Sequence, residues 1–339
     1  MVRKMGNEDQ RFGIGCEEMS SDSCATSGTA NETASSAPEP EIGPTRRSLL
    51  WLKSQLLVKT RREAKDLLLK ILFAITTLIV ILPFFLIVIQ LAVTGLSGLT
   101  LDLFTTFPGA SLTGGIRNAI VGTILLVLVA GGVGIPLSVL GAVYISEYSP
   151  PGRIRSTVEF ASDVLAGIPS IVFGAFGFAF IVVFLNVGMG LVSGGLTLAF
   201  MMMPTVLRTT QEALRQVPVS LREASFALGA TKWTTTWRVT IRAAFPGIVT
   251  GVLLAIGRVM GETAPLIFTS GNSLTTPTSI LGPASWVASL PFTIWAYVSD
   301  PRPYLQVKAQ STALALLVMV LAVDVVANYI SRKVTRRLV

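Results

Sequence analysis

Arg258 and Glu262 lie four residues apart inside the apolar stretch 245–268, which is long enough to cross a bilayer. Charge there is expensive. Near the centre of a spanning helix an Arg or an Asp costs roughly 2.5–3.5 kcal/mol. A chain that keeps both must pair them or use them, and the i, i+4 spacing places them on one helix face where each can neutralise the other. Arginine also suits an oxyanion, because its planar fork of donors matches the anion's oxygens and stays protonated when buried. Glu262 would hold the guanidinium while no anion is bound and repel the anion afterwards, which limits retention. The alternative is a purely structural lock between helices, and the two residues alone do not separate these readings.

The neighbours of the pair bear on how it is held. Gly247 with Gly251 and Gly257 with Gly261 form two small-xxx-small pairs, which let another helix approach closely. Pro265 cannot donate to the carbonyl of Gly261 in a continuous helix, which frees backbone polarity beside Glu262. Pro169 is expected to do the same to the carbonyl of Leu165.

Apolar residues make up 51% of the 339, and charged residues only 14%. A soluble domain carries nearer a quarter charged residues, so the chain reads as a polytopic membrane protein. It contains no histidine, which excludes Ser-His and Cys-His nucleophile pairs and His-ligated metal sites. Cys16 and Cys24 fit no zinc or redox spacing. The Met201-Met202-Met203 run reads as span filler. The residues therefore point to no catalytic site and no metal site.

Residues 1–45 are rich in Ser, Thr, Ala, Glu and Pro and read as a disordered tail. The first long apolar run begins near Leu67, which argues against a cleavable signal peptide. Residues 46–70 interleave Arg and Lys with Leu and Trp, as suits a helix lying on an anionic leaflet and touching membrane lipid. The transmembrane region follows over 71–339. Six spans are expected, near 71–95, 116–146, 160–186, 188–207, 243–268 and 309–331, with a long external loop between the last two that carries a short surface helix near 286–297. With both termini inside, 23 of the 27 Lys and Arg fall on the cytoplasmic side. Arg117, Arg302 and Lys308 are external, and Arg258 is the single basic residue in a span interior. The net charge of +8 is therefore topological and not the footprint of a nucleic acid. Arg117 and Asn118 open the second span on the outside, where an anion would arrive. Glu147, Glu159 and Asp163 flank the Arg153/Arg155 loop at the interface. Asp324, in the last span, is expected to be structural, reaching the interface or pairing with a loop Arg.

The cytoplasmic loop 211–242 is the most informative soluble segment. Ser220-x-x-Glu223 reads as a capping box that starts a short helix, and Gly229 closes it as a C-cap glycine. Trp233, Trp237 and Ile241 then form a one-sided apolar stripe. The shape can present a helix to a partner's groove.

Glu223-Ala224-Ser225, three residues, then Gly229 resembles the EAA loop of permease subunits in bacterial ABC importers. That pattern runs Glu-Ala-Ala, three residues, Gly, nine residues, Ile, any residue, Leu-Pro. This chain departs from it with Ser225, Val239, Ile241 and Arg242, so Glu223, Ala224 and Gly229 carry the likeness and Arg242 does not. The string Gly167-Ile168-Pro169-Ser170-Ile171-Val172-Phe173-Gly174 resembles the phosphate-specific importers. So does Gly261-Glu262-Thr263-Ala264-Pro265-Leu266, which is similar to their A-type permease in particular. The likeness covers about residue 70 to the C-terminus.

The resemblance implies an all-α integral membrane fold of six helices, the type I ABC importer permease fold, in the bacterial plasma membrane. It implies that Arg258 and Glu262 belong to the translocation path. It also implies that the loop at Glu223 docks an ATPase. The partners would be a homologous C-type permease, an ATPase dimer and an extracytoplasmic phosphate-binding protein. No G-x-x-x-x-G-K-[ST] run is present, so this chain would bind no cofactor, and ATP and Mg would be used by the ATPase subunits. Two alternatives stand beside this: a permease for another oxyanion, and an ion-coupled secondary transporter using Glu262 or Asp324.

Overall fold

The computed structural model describes residues 44–109, 111–280 and 285–338. Contacts divide the chain into two units, Met1–Ile75 and Thr76–Val339. Nearly all of the tail expected over 1–45 lies outside the described residues, as do Cys16 and Cys24. Among the described residues every regular element is helical.

Helix α1 spans Pro44–Leu96, so the basic segment 46–70 continues without a break into the first span. It is followed by α2 (Leu101–Thr105), then α3 (Arg117–Val143), which runs on through a π-helical turn, Tyr144–Tyr148. Helices α4 (Arg153–Gly167) and α5 (Ser170–Gly177) come next, the latter continued by a π-helical segment Phe178–Phe184. Helix α6 covers Leu191–Arg215, α7 Val219–Ala227 and α8 Lys232–Thr235. A π-helical turn, Thr236–Thr240, joins α8 to α9, Ile241–Met260. The remainder is α10 (Ala264–Thr269), α11 (Leu290–Val298) and α12 (Pro303–Leu338).

Five of these stretches are long and apolar enough to cross a membrane: Lys65–Leu96, Arg117–Tyr148, Leu191–Arg215, Lys232–Met260 and Pro303–Val326. The expected third span, 160–186, is not one straight helix. It is the pair Arg153–Gly167 and Ser170–Phe184, bent by 103°. The cause is Pro169, which has extended ψ (140°) and stands before Ser170 rather than inside a helix. The residue before a proline is pushed out of the helical region, and Ile168 duly has ψ 134°. No helical bond to Leu165 is lost to a proline here; the helix has already ended at Gly167. The expected fifth span also stops short, at Met260.

The core is built on α3 and α6. Leu126 and Ala130 of α3 pack with Leu198, Met202 and Val206 of α6 and with Ala255 and Val259 of α9. Close approach is made possible by glycines. A Cβ on Gly134 would stand 2.9 Å from Met202 Cγ, so the methionine fills a space that a missing side chain leaves. On α9, a Cβ on Gly247 would stand 2.7 Å from Ala213 Cβ, and one on Gly251 would collide with Thr209. That small-xxx-small pair therefore seats α9 on α6. The outer faces of the helices carry large exposed apolar side chains, such as Leu78, Leu128 and Leu254, as a surface toward lipid requires.

The segment after Ser270 is less superficial than its composition suggests. Val287, Ala288, Ser289 and Leu290 are buried. The Leu290 N–H donates to Thr123 Oγ1 at 2.9 Å, and Gly122 leaves room for the Ala288 carbonyl. Helix α11 packs against α12 and α3 through Leu290 and Tyr297, so the surface helix expected here is in large part buried.

Gly251→Val should overpack the α6–α9 contact and lower stability by about 1–3 kcal/mol, read as a lower Tm in detergent. Gly132 has no atom within 4 Å of an added Cβ, and Gly132→Ala, in the interior of α3, should not lower Tm, because Ala is the better helix former.

Candidate functional site

Arg258 occupies the last turn of α9, and Glu262 lies in the three-residue break before α10. The expected single helix through both does not exist, and Pro265 is not inside one. The Gly261 N–H donates to the Arg258 carbonyl (3.1 Å) and the Glu262 N–H to the Val259 carbonyl (3.2 Å), which closes α9 with a tightened turn. Pro265 then stands in the first turn of α10, where its missing N–H has no helical partner to lose. The break suits the charges. A helix C-terminus favours a cation and a helix N-terminus an anion, and Arg258 and Glu262 hold those two positions.

The pair is closed loosely. Arg258 Nε and Glu262 Oε1 are 3.7 Å apart, with the arginine side chain 48% exposed and the glutamate 18%. At that distance the contact is an ion pair without a hydrogen bond, and among the described residues the guanidinium donates no hydrogen bond at all. It is therefore an accessible, tethered cation with unused donors. It lies about 24 Å beyond Arg242 along the helix at roughly 1.5 Å per residue, inside a hydrocarbon slab of about 30 Å if Arg242 marks its edge.

Three of the four predicted packing residues serve close contacts or the bend around this break, and the fourth lies in the break without such a contact. Gly257 faces Asp324 of α12, whose Oδ1 would stand 3.2 Å from an added Cβ. Asp324 thus sits one residue from Arg258, and among the described residues it forms no ion pair. Pro265 packs against Gly174 of α5, where a Cβ would come within 2.8 Å of the Pro265 Cα. Pro169 sets the bend that brings α5 there. The two sequence strings 167–174 and 261–266 therefore meet in space. Gly261 makes no such contact: an added Cβ would meet only the Arg258 carbonyl, at 3.7 Å. Its role is to end α9.

The apolar recess of about 530 Å³ between α4, α5 and α6 is lined by Leu165, Ile168, Phe173, Phe176, Phe200 and Leu207, among others. It offers no charge to an anion. The three predicted external cations are engaged. Arg117 stacks over Phe107 at 5.2 Å, and Lys308 Nζ donates to the Leu112 carbonyl at 2.7 Å. Arg302 donates to Asp300 from Nε and Nη2, both at 2.8 Å. These hydrogen bonds hold the half-buried Asp300 carboxyl down at about 2. Burial pushes Tyr297 up to about 12. Asn118 is only 4% exposed, and its Nδ2 donates to the Ser273 carbonyl at 2.6 Å; it is a brace and not a surface contact.

At the other end, the loop expected to dock a partner forms α7 and α8, with a different start. The N-cap position is Pro218, which makes no side-chain cap. Ser220 lies inside the first turn, so no capping box forms between it and Glu223. The end is as expected. Gly229 has φ +78°, its N–H donates to Phe226 (2.9 Å), and the Ala230 N–H donates to Ser225 (3.2 Å). This is the Schellman arrangement that glycine favours. Thr231, unnoticed in the sequence, caps the next helix by accepting from the Thr234 N–H at 3.3 Å. No residue of α7 is buried. Glu223 and Ala224 are exposed, with Leu228, Phe226 and Trp233 around them. Trp233 and Trp237 lie 5.2 Å apart. The three acids near Arg153/Arg155 are all paired: Glu159 with Arg155 and Arg215, Asp163 with Arg208, and Glu147 with Arg222.

A broken-helix bundle with an exposed loop helix of this kind defines the chain as a membrane permease with the fold of type I ABC importers. The family described as "Binding-protein-dependent transport system inner membrane component" matches residues 134–336, and the chain belongs to it. It is a non-catalytic, multi-pass protein of the bacterial plasma membrane. Among its relatives is the phosphate transport system permease protein PstA of Yersinia pestis, 38% identical over 70% of this chain and 80% of the relative. Another is PstA 2 of Mycobacterium tuberculosis (strain CDC 1551 / Oshkosh), 40% identical over 65% of this chain and 73% of the relative. Among solved structures, a bacterial alginate ABC transporter in complex with an alginate pentasaccharide-bound periplasmic protein matches with a TM-score of 0.60. It is 16% identical, and the match covers 80% of this chain and 96% of that one. The MetNI methionine ABC transporter in an inward-facing conformation matches with a TM-score of 0.50 at 20% identity, over 65% of this chain and 94% of that one.

Gly229→Ala should loosen α7, since a non-glycine residue in left-handed backbone costs roughly 1–2 kcal/mol. Amide exchange over 219–230 should rise while the Tm of the bundle is kept. An added Cβ meets nothing within 4 Å at this position, so unaltered exchange would show that the positive φ is not required.

Proposed function

We propose that this chain is the A-type permease subunit of an ATP-driven importer of inorganic phosphate. In this reading it forms half of the path and docks an ATPase dimer through α7. A homologous C-type permease completes the path, and an extracytoplasmic phosphate-binding protein delivers the anion. Both termini are cytoplasmic, which places α7 on the ATPase side and α11 on the delivery side. ATP and Mg are used by the ATPase subunits and not by this chain. The relatives named for phosphate transport support the substrate.

The observation that carries the mechanism is the loosely closed Arg258–Glu262 pair at the helix break. Phosphate near neutral pH is a mono- or dianion, and moving it through a low-dielectric region requires a close cation. Arg258 supplies one with free donors, able to meet two phosphate oxygens at once. Glu262 remains beside it and competes for the guanidinium, so the anion is held weakly and let go. Closure of the ATPase pair displaces α7, and α9, which follows α7 in the chain, carries the displacement to Arg258.

Arg258→Gln should abolish phosphate uptake by the reconstituted complex while all subunits still co-purify; normal uptake would refute the path role. Sulfate or molybdate should not compete with phosphate for uptake by the wild-type complex. Strong competition would assign the path to another oxyanion.

A further inference from the structure

Among the described residues, polar side-chain contacts fasten helix α7 to the bundle at two points, only one of which lies on the covalent route to Arg258. Ser225 Oγ and Thr235 Oγ1, 2.9 Å apart, tie α7 to α8 and so to the helix that leads on to α9. The other tie is Arg222. Its Nη2 stands 3.0 Å from Glu147 Oε1 in the π-helical turn that ends α3, with the side chains 25% and 11% exposed. The same Nη2 donates to the Leu214 carbonyl of α6 at 2.8 Å. One guanidinium thus joins α7, α3 and α6. Lys232 of α8 adds a contact over the Tyr148 ring at 5.2 Å.

The surroundings of this junction are under-bonded. It borders the apolar cluster of Val143, Leu214, Val217 and Ala244. Among the described residues, the buried Ser146 Oγ and Tyr148 Oη of the same π-helical turn and Arg222 Nε have no hydrogen-bond partner, nor do Thr210 Oγ1 and both amide atoms of Gln211, about one turn before Leu214 on α6, or Thr240 Oγ1. Glu147 Oε1 is close to Arg222 but is not aligned as a hydrogen bond. Buried polar groups are normally satisfied, so a concentration of unpaired ones needs a reason. Two of the three π-helical segments, Tyr144–Tyr148 and Thr236–Thr240, contribute to the junction. Such segments recur at functional sites.

We propose that the Arg222–Glu147 pair is the link through which displacement of α7 reaches α3, in parallel with the covalent route into α9. The unpaired groups around it re-pair in the other state of the cycle. A lone covalent route would pull α9 past α6, yet those helices are seated on each other at Gly247 and Gly251. The link lets α3, α6 and α9 respond together to one displacement of the docking helix. Arg222 and Glu147 are positioning residues here; neither touches the anion. The proposal rests on α7 being the ATPase-docking element.

The test uses the complete importer in proteoliposomes, with phosphate uptake and ATP hydrolysis measured on the same vesicles. Arg222→Gln and Glu147→Gln should each keep the ATPase subunits at wild-type stoichiometry and lower phosphate moved per ATP by at least about tenfold. The double variant Arg222→Met with Glu147→Leu leaves no lone buried charge and roughly preserves volume. It should assemble fully and remain uncoupled, because a pair that only stabilises is replaceable by apolar side chains. Wild-type transport per ATP in the single variants, or its recovery in the apolar double, would overturn the link. Loss of the ATPase subunits from the single variants would overturn it too, because the pair would then serve docking. A wild-type chain that retains no ATPase would instead sink the underlying functional reading.

Discussion

A cation and an anion kept within an otherwise apolar span have to be compensated by something other than water. In this chain each is given a helix end. Arg258 stands in the last turn of α9 and Glu262 leads into the N-terminus of α10. Each terminus offers a partial charge of roughly half a unit, of the sign its neighbour needs. The two side chains therefore do not depend wholly on each other, and they can remain 3.7 Å apart with the arginine accessible. A tight bidentate pair would be better compensated and of less use, because an incoming anion would have to break it. Broken helices whose ends point at a charged substrate recur in membrane transport proteins.

The rest of the bundle serves to hold that break open at a fixed place. Helix α10 is backed by Gly174 of α5, which reaches it because the chain bends by 103° at Pro169. Helix α9 is held against α6 by Gly247 and Gly251, and Gly257 faces Asp324 on α12. Small residues at these contacts allow backbones to approach where no hydrophobic driving force between helices exists. Asp324 adds a second acid beside the same helix end, against Gly257.

The sequence was most legible where physics acts locally. Hydropathy located the spans, Gly229 marked the end of α7, and Arg258 stood out as the single basic residue in a span interior. The misreadings share a cause. Pro169 and Pro265 read as kinks within continuous helices, but those helices had already ended at Gly167 and Met260, and each proline stands at the start of the next segment. Ser220 has the spacing of a cap, yet the N-cap position falls at Pro218 and the helix starts two residues earlier. The stretch 285–298 looks like a surface loop by composition and is buried because Gly122 and Thr123 accept its backbone. Pairs such as Glu147 with Arg222 and Glu159 with Arg215 join residues far apart in the chain, and no spacing rule reaches them.

The central claim is that the Arg258 guanidinium is a direct contact of the transported anion. The most direct measurement is the structure of the assembled importer, arrested with a hydrolysis-deficient ATPase and soaked with arsenate as an anomalously scattering phosphate analogue. The account predicts an arsenic peak about 3–4 Å from the guanidinium nitrogens of Arg258, with the Glu262 contact opened. An anion lodged elsewhere along the path, with Arg258 still closed on Glu262, would contradict it.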